Sequence, residues 1–236
     1  MPTTILNPEH LGVDGPCIIA PTHISHLDPL VLGILLRDEV RWMARTEFYK
    51  SRLLAWALRA VRAFPVHRQG YPRPALRRGL ELLAEGERVG VFPEAGVSRR
   101  QYSAMRGGPI KQGACFLAMH GQVPIIPIAL IGTHAMNRAT TWRPFRHAAV
   151  HVAVGEPIHP EPLHNDHRGR REQRRALGDR LRASYPAMYK RLLQFDGVDD
   201  RHDLSPGEPD DPSLVKVDPH AAAGSALHPP HATAQT

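Results

Sequence analysis

The chain has 236 residues, a formal net charge of +7 and two cysteines. That length supports one sizeable core, or one domain plus a tail. It holds no run of the ~18 apolar residues that a spanning helix needs, and no basic start leading into an apolar signal segment. The charge is uneven: residues 196–236 carry eight acids and two bases, which leaves +13 on residues 1–195. A body that basic favours anionic partners, namely phosphorylated substrates, nucleic acid or an anionic membrane surface.

The first 15 residues read as a poor membrane helix and lead to PCIIAPTH (16–23), a short apolar run read as a buried strand. PLVLGILLR (29–37) is read as a helix with Pro29 in its first turn, and VRWMAR (40–45) as a strand. EFYKSRLLAWALRAV (47–61) is read as one amphipathic helix, and AFPVHR (63–68) as a short strand or turn. RPALRRGLELLAEG (73–86) puts Leu76, Leu80, Leu83 and Ala84 on one helical face, with Gly86 as its stop. RVGVFPEAG (88–96) is a strand running into a loop, GPIKQGACFLAMHGQ (108–122) a helix, VPIIPIALIG (123–132) a strand and AAVHVAVGEPI (148–158) another strand. Strands alternating with helices predict an α/β domain with a mixed, largely parallel central sheet flanked by helices. Residues 166–191 hold nine Lys or Arg against three acids and read as a solvated helix at the domain edge or as an anionic-lipid contact. Past Gly197 there is no aromatic residue and there are six prolines, so residues 196–236 are expected to be a disordered acidic, proline-rich tail behind a domain of residues 1–195. Cys17 and Cys115 lie in apolar runs without Cys-x-x-Cys spacing and are expected to be buried free thiols.

PTHISHLDPL (21–30) packs His23, His26 and Asp28 into six positions. Three readings compete. The set can be part of a metal site, which needs three or four convergent ligands. Asp28 before Pro29 can be a helix N-cap, or Ser25 and Asp28 can instead form a variant capping box with the aspartate in the usual Glu/Gln place. Or a strand-to-helix turn folds Asp28 back onto His23, so that the carboxylate fixes the imidazole tautomer and the other ring nitrogen takes a proton from a hydroxyl.

THISHLD resembles the His-x4-Asp motif of the glycerolipid acyltransferases, the bacterial 1-acyl-glycerol-3-phosphate acyltransferase type. Other blocks of that family follow in order. AFPVHR resembles a Gly-x-Phe-x-x-x-Arg segment, with Arg62 in the glycine's place and Arg68 on the arginine. VFPEAGVSR resembles Phe-Pro-Glu-Gly-Thr-Arg-Ser, matching Phe92, Pro93, Glu94 and Ser98, with Ala95, Gly96 and Val97 as departures. VPIIPIAL carries Pro124 and Pro127 where the fourth block has its prolines. IKQGA supplies Lys111, and ARTEF puts Arg45 where the family has a lysine.

The resemblance spans roughly residues 15–135. It implies a seven-stranded or similar mixed sheet and transfer of a fatty acyl group from acyl-CoA or acyl-carrier protein to the free hydroxyl of 1-acyl-glycerol 3-phosphate. Glycerol 3-phosphate or another lysophospholipid is the alternative acceptor. By the same resemblance His23 is the general base and Asp28 its orienter, while Arg68, Glu94, Ser98, Lys111 and Arg45 bind substrate. Neither a metal nor a cofactor is implied. The expected location is the cytoplasmic face of the cell membrane, held peripherally, with residues 48–62 or the basic 166–191 segment as docking surfaces. Rivals are a metal-dependent hydrolase on His23, His26 and Asp28, and a non-catalytic lipid-binding protein. The basic stretches hold no nucleic-acid recognition module and few aromatics, so nucleic acid is not expected as a partner.

Overall fold

The computed structural model describes residues 3–36, 40–66, 73–97, 102–133 and 149–194. In chain order the strands are β1 (Thr3–Leu6), β2 (Ile18–Pro21), β3 (Val40–Arg45), β4 (Phe64–Val66), β5 (Arg88–Gly90), β6 (Ile125–Ile131) and β7 (Val150–Val154). The helices are α1 (Asp28–Leu36), α2 (Arg52–Ala60), α3 (Arg73–Ala84), α4 (Gly113–Gly121) and α5 (His167–Leu192). All seven strands form one sheet in the order β1-β7-β6-β2-β5-β3-β4. Every neighbouring pair is parallel except β6 with β7. The expected mixed, largely parallel sheet flanked by helices is therefore present.

A parallel strand covered on both faces must be apolar throughout. β2 and β6 meet that demand: every residue of IIAP and IIPIALI is buried. On one face of the sheet, α3, α4 and α5 supply Leu82, Leu117, Leu181 and Tyr185 to a core with Ile18, Ile125 and Ala129. On the other face α1 supplies Val31, Leu32 and Leu36, which pack with Ile19, Trp42 and Ile128. Trp42 on β3 faces Gly90 on β5, and a Cβ at Gly90 would overlap the indole.

Four expectations need correction. β1 was not foreseen; Thr3–Leu6 is an edge strand whose register with β7 is set some 147 residues away, from Thr3 on Val150 to Leu6 on Ala153. The expected single helix over 47–61 is divided, with a 3-10 turn at Thr46–Lys50 and α2 starting after Ser51. At its start the Ser51 carbonyl accepts from Ala55 N–H at 2.8 Å and the Ser51 hydroxyl oxygen from Leu54 N–H at 3.5 Å. The helix read over 108–122 is shorter, since α4 begins at Gly113 and ends where Gln122 turns left-handed with φ 51°. α5 is not merely a solvated edge helix: Leu177, Leu181, Tyr185, Met188 and Leu192 bury its inner face. Asp166 caps it, its side chain accepting from Gly169 N–H at 2.8 Å. The acidic tail lies outside the described residues.

Candidate active site

β2, β3, β4, β5 and β6 run parallel, so their carboxyl ends share one edge of the sheet. In sheets of this kind, ligands bind outside the carboxyl ends of the strands. His23 lies two residues past β2, Thr133 two past β6 and Glu94 four past β5, while Arg45 is the last residue of β3.

After Pro21 the chain makes a tight turn that closes on Asp28. His23 Nδ1 is 2.9 Å from Asp28 Oδ2. The same oxygen accepts from Ile24 N–H at 2.8 Å and Ser25 N–H at 2.8 Å. The other oxygen, Oδ1, accepts from the Thr133 hydroxyl at 2.5 Å. Asp28 is wholly buried, and the His23 side chain keeps 14% of its exposure. The carboxylate therefore holds the imidazole, the turn and the end of β6 together. Of the two capping readings, the N-cap at Asp28 fails, whereas the Ser25 N–H bond to Asp28 Oδ2 and the Leu27 N–H bond to Ser25 Oγ at 3.1 Å fit the variant capping box. α1 does begin at Asp28, but its carboxylate turns back to Ile24 and Ser25 rather than forward into the helix.

Glu94 is the second support. One of its carboxylate oxygens accepts from His23 N–H, and the other from Ala104 N–H at 2.7 Å. The carboxyl thus ties the β2 turn to the loop after β5. Burial pushes its pKa up to about 7, partly opposed by the two backbone N–H groups, by the nearby His23 and by Ser103. Glu94 was expected to bind substrate; in the structure its oxygens accept from the backbone N–H groups of His23 and Ala104, with Ser103 beside them.

The His23 ring lies on Phe92, with centroids 4.2 Å apart and planes at 30°. Phe92 stacks in turn on buried Trp42 at 5.4 Å. This column sets the plane of the imidazole, while Asp28 sets its rotation. His26 sits edge-on to His23 at 6.5 Å and also meets Phe48 edge-on at 6.2 Å. Among the described residues, no three His, Cys, Asp or Glu side chains are grouped to hold a metal.

Two positions depart from the family's glycines yet keep a glycine conformation. Arg62 has φ 53° and Ala95 has φ 58°. Arg62 closes α2: its N–H reaches the Arg59 carbonyl at 2.9 Å, and the next N–H, of Ala63, reaches Leu58 at 2.8 Å. Ala95 makes the turn that follows Glu94, its N–H donating to the Phe92 carbonyl at 3.0 Å.

Lys111 is brought to the site by its backbone, its N–H donating to the Pro93 carbonyl at 2.7 Å, and the residue is exposed. Arg45, at the end of β3, pairs with Val66 of β4. Arg68 and Ser98 lie outside the described residues. Sequence reasoning missed Thr133, Ala104 and the stacking role of Phe92. Thr133 follows the block VPIIPIAL by two residues, and nothing in its spacing marks it.

Comparison with known proteins bears on this geometry. A family model described as Acyltransferase matches residues 3–131. The chain is 29% identical over 156 residues to the 1-acyl-sn-glycerol-3-phosphate acyltransferase of Bacillus subtilis (strain 168), covering 66% of this chain and 73% of that protein. It is 30% identical over 149 residues to the chloroplastic 1-acyl-sn-glycerol-3-phosphate acyltransferase BAT2 of Brassica napus, covering 62% of this chain and 42% of that one, so it spans less than half of the plant relative. The crystal structure of the 1-acyl-sn-glycerophosphate (LPA) acyltransferase PlsC from Thermotoga maritima shares the fold, with a TM-score of 0.58 at 21% identity, over 82% of this chain and 73% of that one.

Proposed function

The chain belongs to the acyltransferase family, and from that premise we propose that it moves a fatty acyl group from a CoA or carrier-protein thioester to the free hydroxyl of 1-acyl-glycerol 3-phosphate, giving phosphatidate. The observation that carries this reading is the 2.9 Å contact between His23 Nδ1 and the buried Asp28 carboxylate. With Nδ1–H given to Asp28, Nε2 is the ring nitrogen that can take a proton. Its placement at the carboxyl ends of five strands supports a role in chemistry.

The step balances without a covalent enzyme intermediate. As the acceptor oxygen bonds to the thioester carbonyl carbon, its proton passes to His23 Nε2. The tetrahedral adduct then expels the thiolate, which recovers the proton from the imidazolium. Asp28 stabilises the imidazolium between the two events, and general base catalysis of this type contributes ~10²–10⁴-fold. The thiols are unsuited to acting as nucleophiles: Cys17 is fully buried, and burial pushes Cys115 up to about 12. Arg45, Lys111 and Arg68 are the cations we assign to the acceptor's phosphate, and Ser98 is assigned to substrate binding with them. A guanidinium fork such as that of Arg68 suits bidentate phosphate binding.

The test follows thiol release from palmitoyl-CoA with and without 1-acyl-glycerol 3-phosphate. We expect release that depends on the acceptor and falls ~10²-fold or more in His23→Ala. Release without acceptor, at a rate the acceptor does not change, would instead indicate a thioesterase.

A further inference from the structure

A lipid acceptor has to be taken from a bilayer, and α2 carries the surface for that contact. Among the described residues the large exposed hydrophobics are Ile34, Leu54, Trp56 and Tyr102. Two of them are on α2. Its inner side is buried through Ala55 and Leu58, while Trp56 on the outer side is 68% exposed and Leu54 38%. α1 adds Ile34, 60% exposed. α1 and α2 are neighbours, since a Cβ built at Gly33 would lie 3.2 Å from Val61 just past α2.

Charge complements the apolar side chains. Residues 46–62 hold Lys50, Arg52, Arg59 and Arg62 against the one acid Glu47, and Arg52, Arg59 and Arg62 are exposed. Arg52, Trp56 and Arg59 follow at i, i+4 and i+7, so the indole sits between two guanidiniums on one helical face. Tryptophan at the headgroup level, flanked by cations, is the pattern of a helix lying in the interface of an anionic bilayer. α5 is richer in arginine, but none of the large exposed hydrophobics is on it. A basic face with no apolar anchor gains only screened attraction.

The position also suits the chemistry. The turn that leads into α2 contains Phe48, whose ring meets His26, and His26 meets His23. Two rings, Phe48 and His26, thus link the turn into α2 to the His23 imidazole.

We propose that α2, anchored by Trp56 and flanked by Arg52 and Arg59, docks this protein on an anionic lipid surface. The purpose of docking rests on the lipid-acceptor reading above; the binding itself is measured without turnover.

The experiment is flotation of the full chain with vesicles of phosphatidylcholine, and of phosphatidylcholine with about a third phosphatidylglycerol. We expect binding to the anionic vesicles, a loss of ~10-fold in Trp56→Ala from the area of one indole, and a loss of about fivefold for each of Arg52→Glu and Arg59→Glu. Thermal unfolding of each variant checks that it folds. Activity on acceptor in detergent micelles should be unchanged in Trp56→Ala, which separates docking from chemistry. Equal binding of wild type and Trp56→Ala overturns the proposal. So does no binding by wild type. So does loss of binding only when Arg171, Arg175 and Arg182 of α5 are changed to Glu.

Discussion

Glu94 is pulled two ways. Burial favours its neutral form, while N–H donors on both of its oxygens favour the carboxylate. The balance near 7 has a consequence for stability. The folded-state value lies above the 4.5 of a free glutamate, so the folded protein holds the proton over a range where the unfolded chain has lost it. The associated stability is complete below about pH 4.5 and declines as pH rises through 7, by at most about 3 kcal/mol. Urea unfolding of wild type and Glu94→Gln across pH 4–8 should show this slope in wild type only; the same slope in both would assign it to other groups. The His23 and Asp28 pairing was legible because the two are five residues apart and one turn joins them. The donors that complete the site were not. Thr133 reaches Asp28 across 105 residues, and Ala104 reaches Glu94 through an amide that no side chain announces.

At the level of elements, four described non-glycine residues, Asn7, Arg62, Ala95 and Gln122, sit in left-handed backbone. That conformation costs an L-residue roughly 1–2 kcal/mol. Arg62 and Ala95 both bear it, one at the end of α2 and one beside Glu94. Ala95→Gly should therefore stabilise the protein by up to about 1 kcal/mol once the looser unfolded chain is counted, read as a raised midpoint in urea; a lowered midpoint would mean that the Ala95 methyl group packs usefully. Most of the strands and helices were legible in the sequence because burial on both faces of β2 and β6 leaves unbroken apolar runs, and α3 carries its leucines at helical spacing. β1 was not, since four residues at a sheet edge carry little pattern. Nor was the division before α2, because the apolar spacing of residues 47–61 runs on through it. The buried side of α5 was hidden by the nine basic residues on the rest of its surface.

For the whole molecule, α5 is part of the core although it lies beyond the residues that the family model matches. The Tyr185 hydroxyl donates to the Ala20 carbonyl at 2.9 Å, three residues before His23. Leu181 beside it is fully buried. Leu181→Ala should cost about 2–5 kcal/mol and lower the unfolding midpoint by every probe together; loss of helix signal alone would show α5 to be a separate unit. The outer pairing of β1 with β7 has a consequence in time. A chain emerging from the ribosome makes Thr3 first, but its partner Val150 comes 147 residues later. At roughly 5–20 residues per second the delay is about 7–30 s. For that interval β1 has no ladder, and the turn bearing His23 lacks Glu94, Thr133 and Tyr185 in succession. The nascent protein thus holds His23 and Asp28 early, but acquires their geometry only as α5 is made.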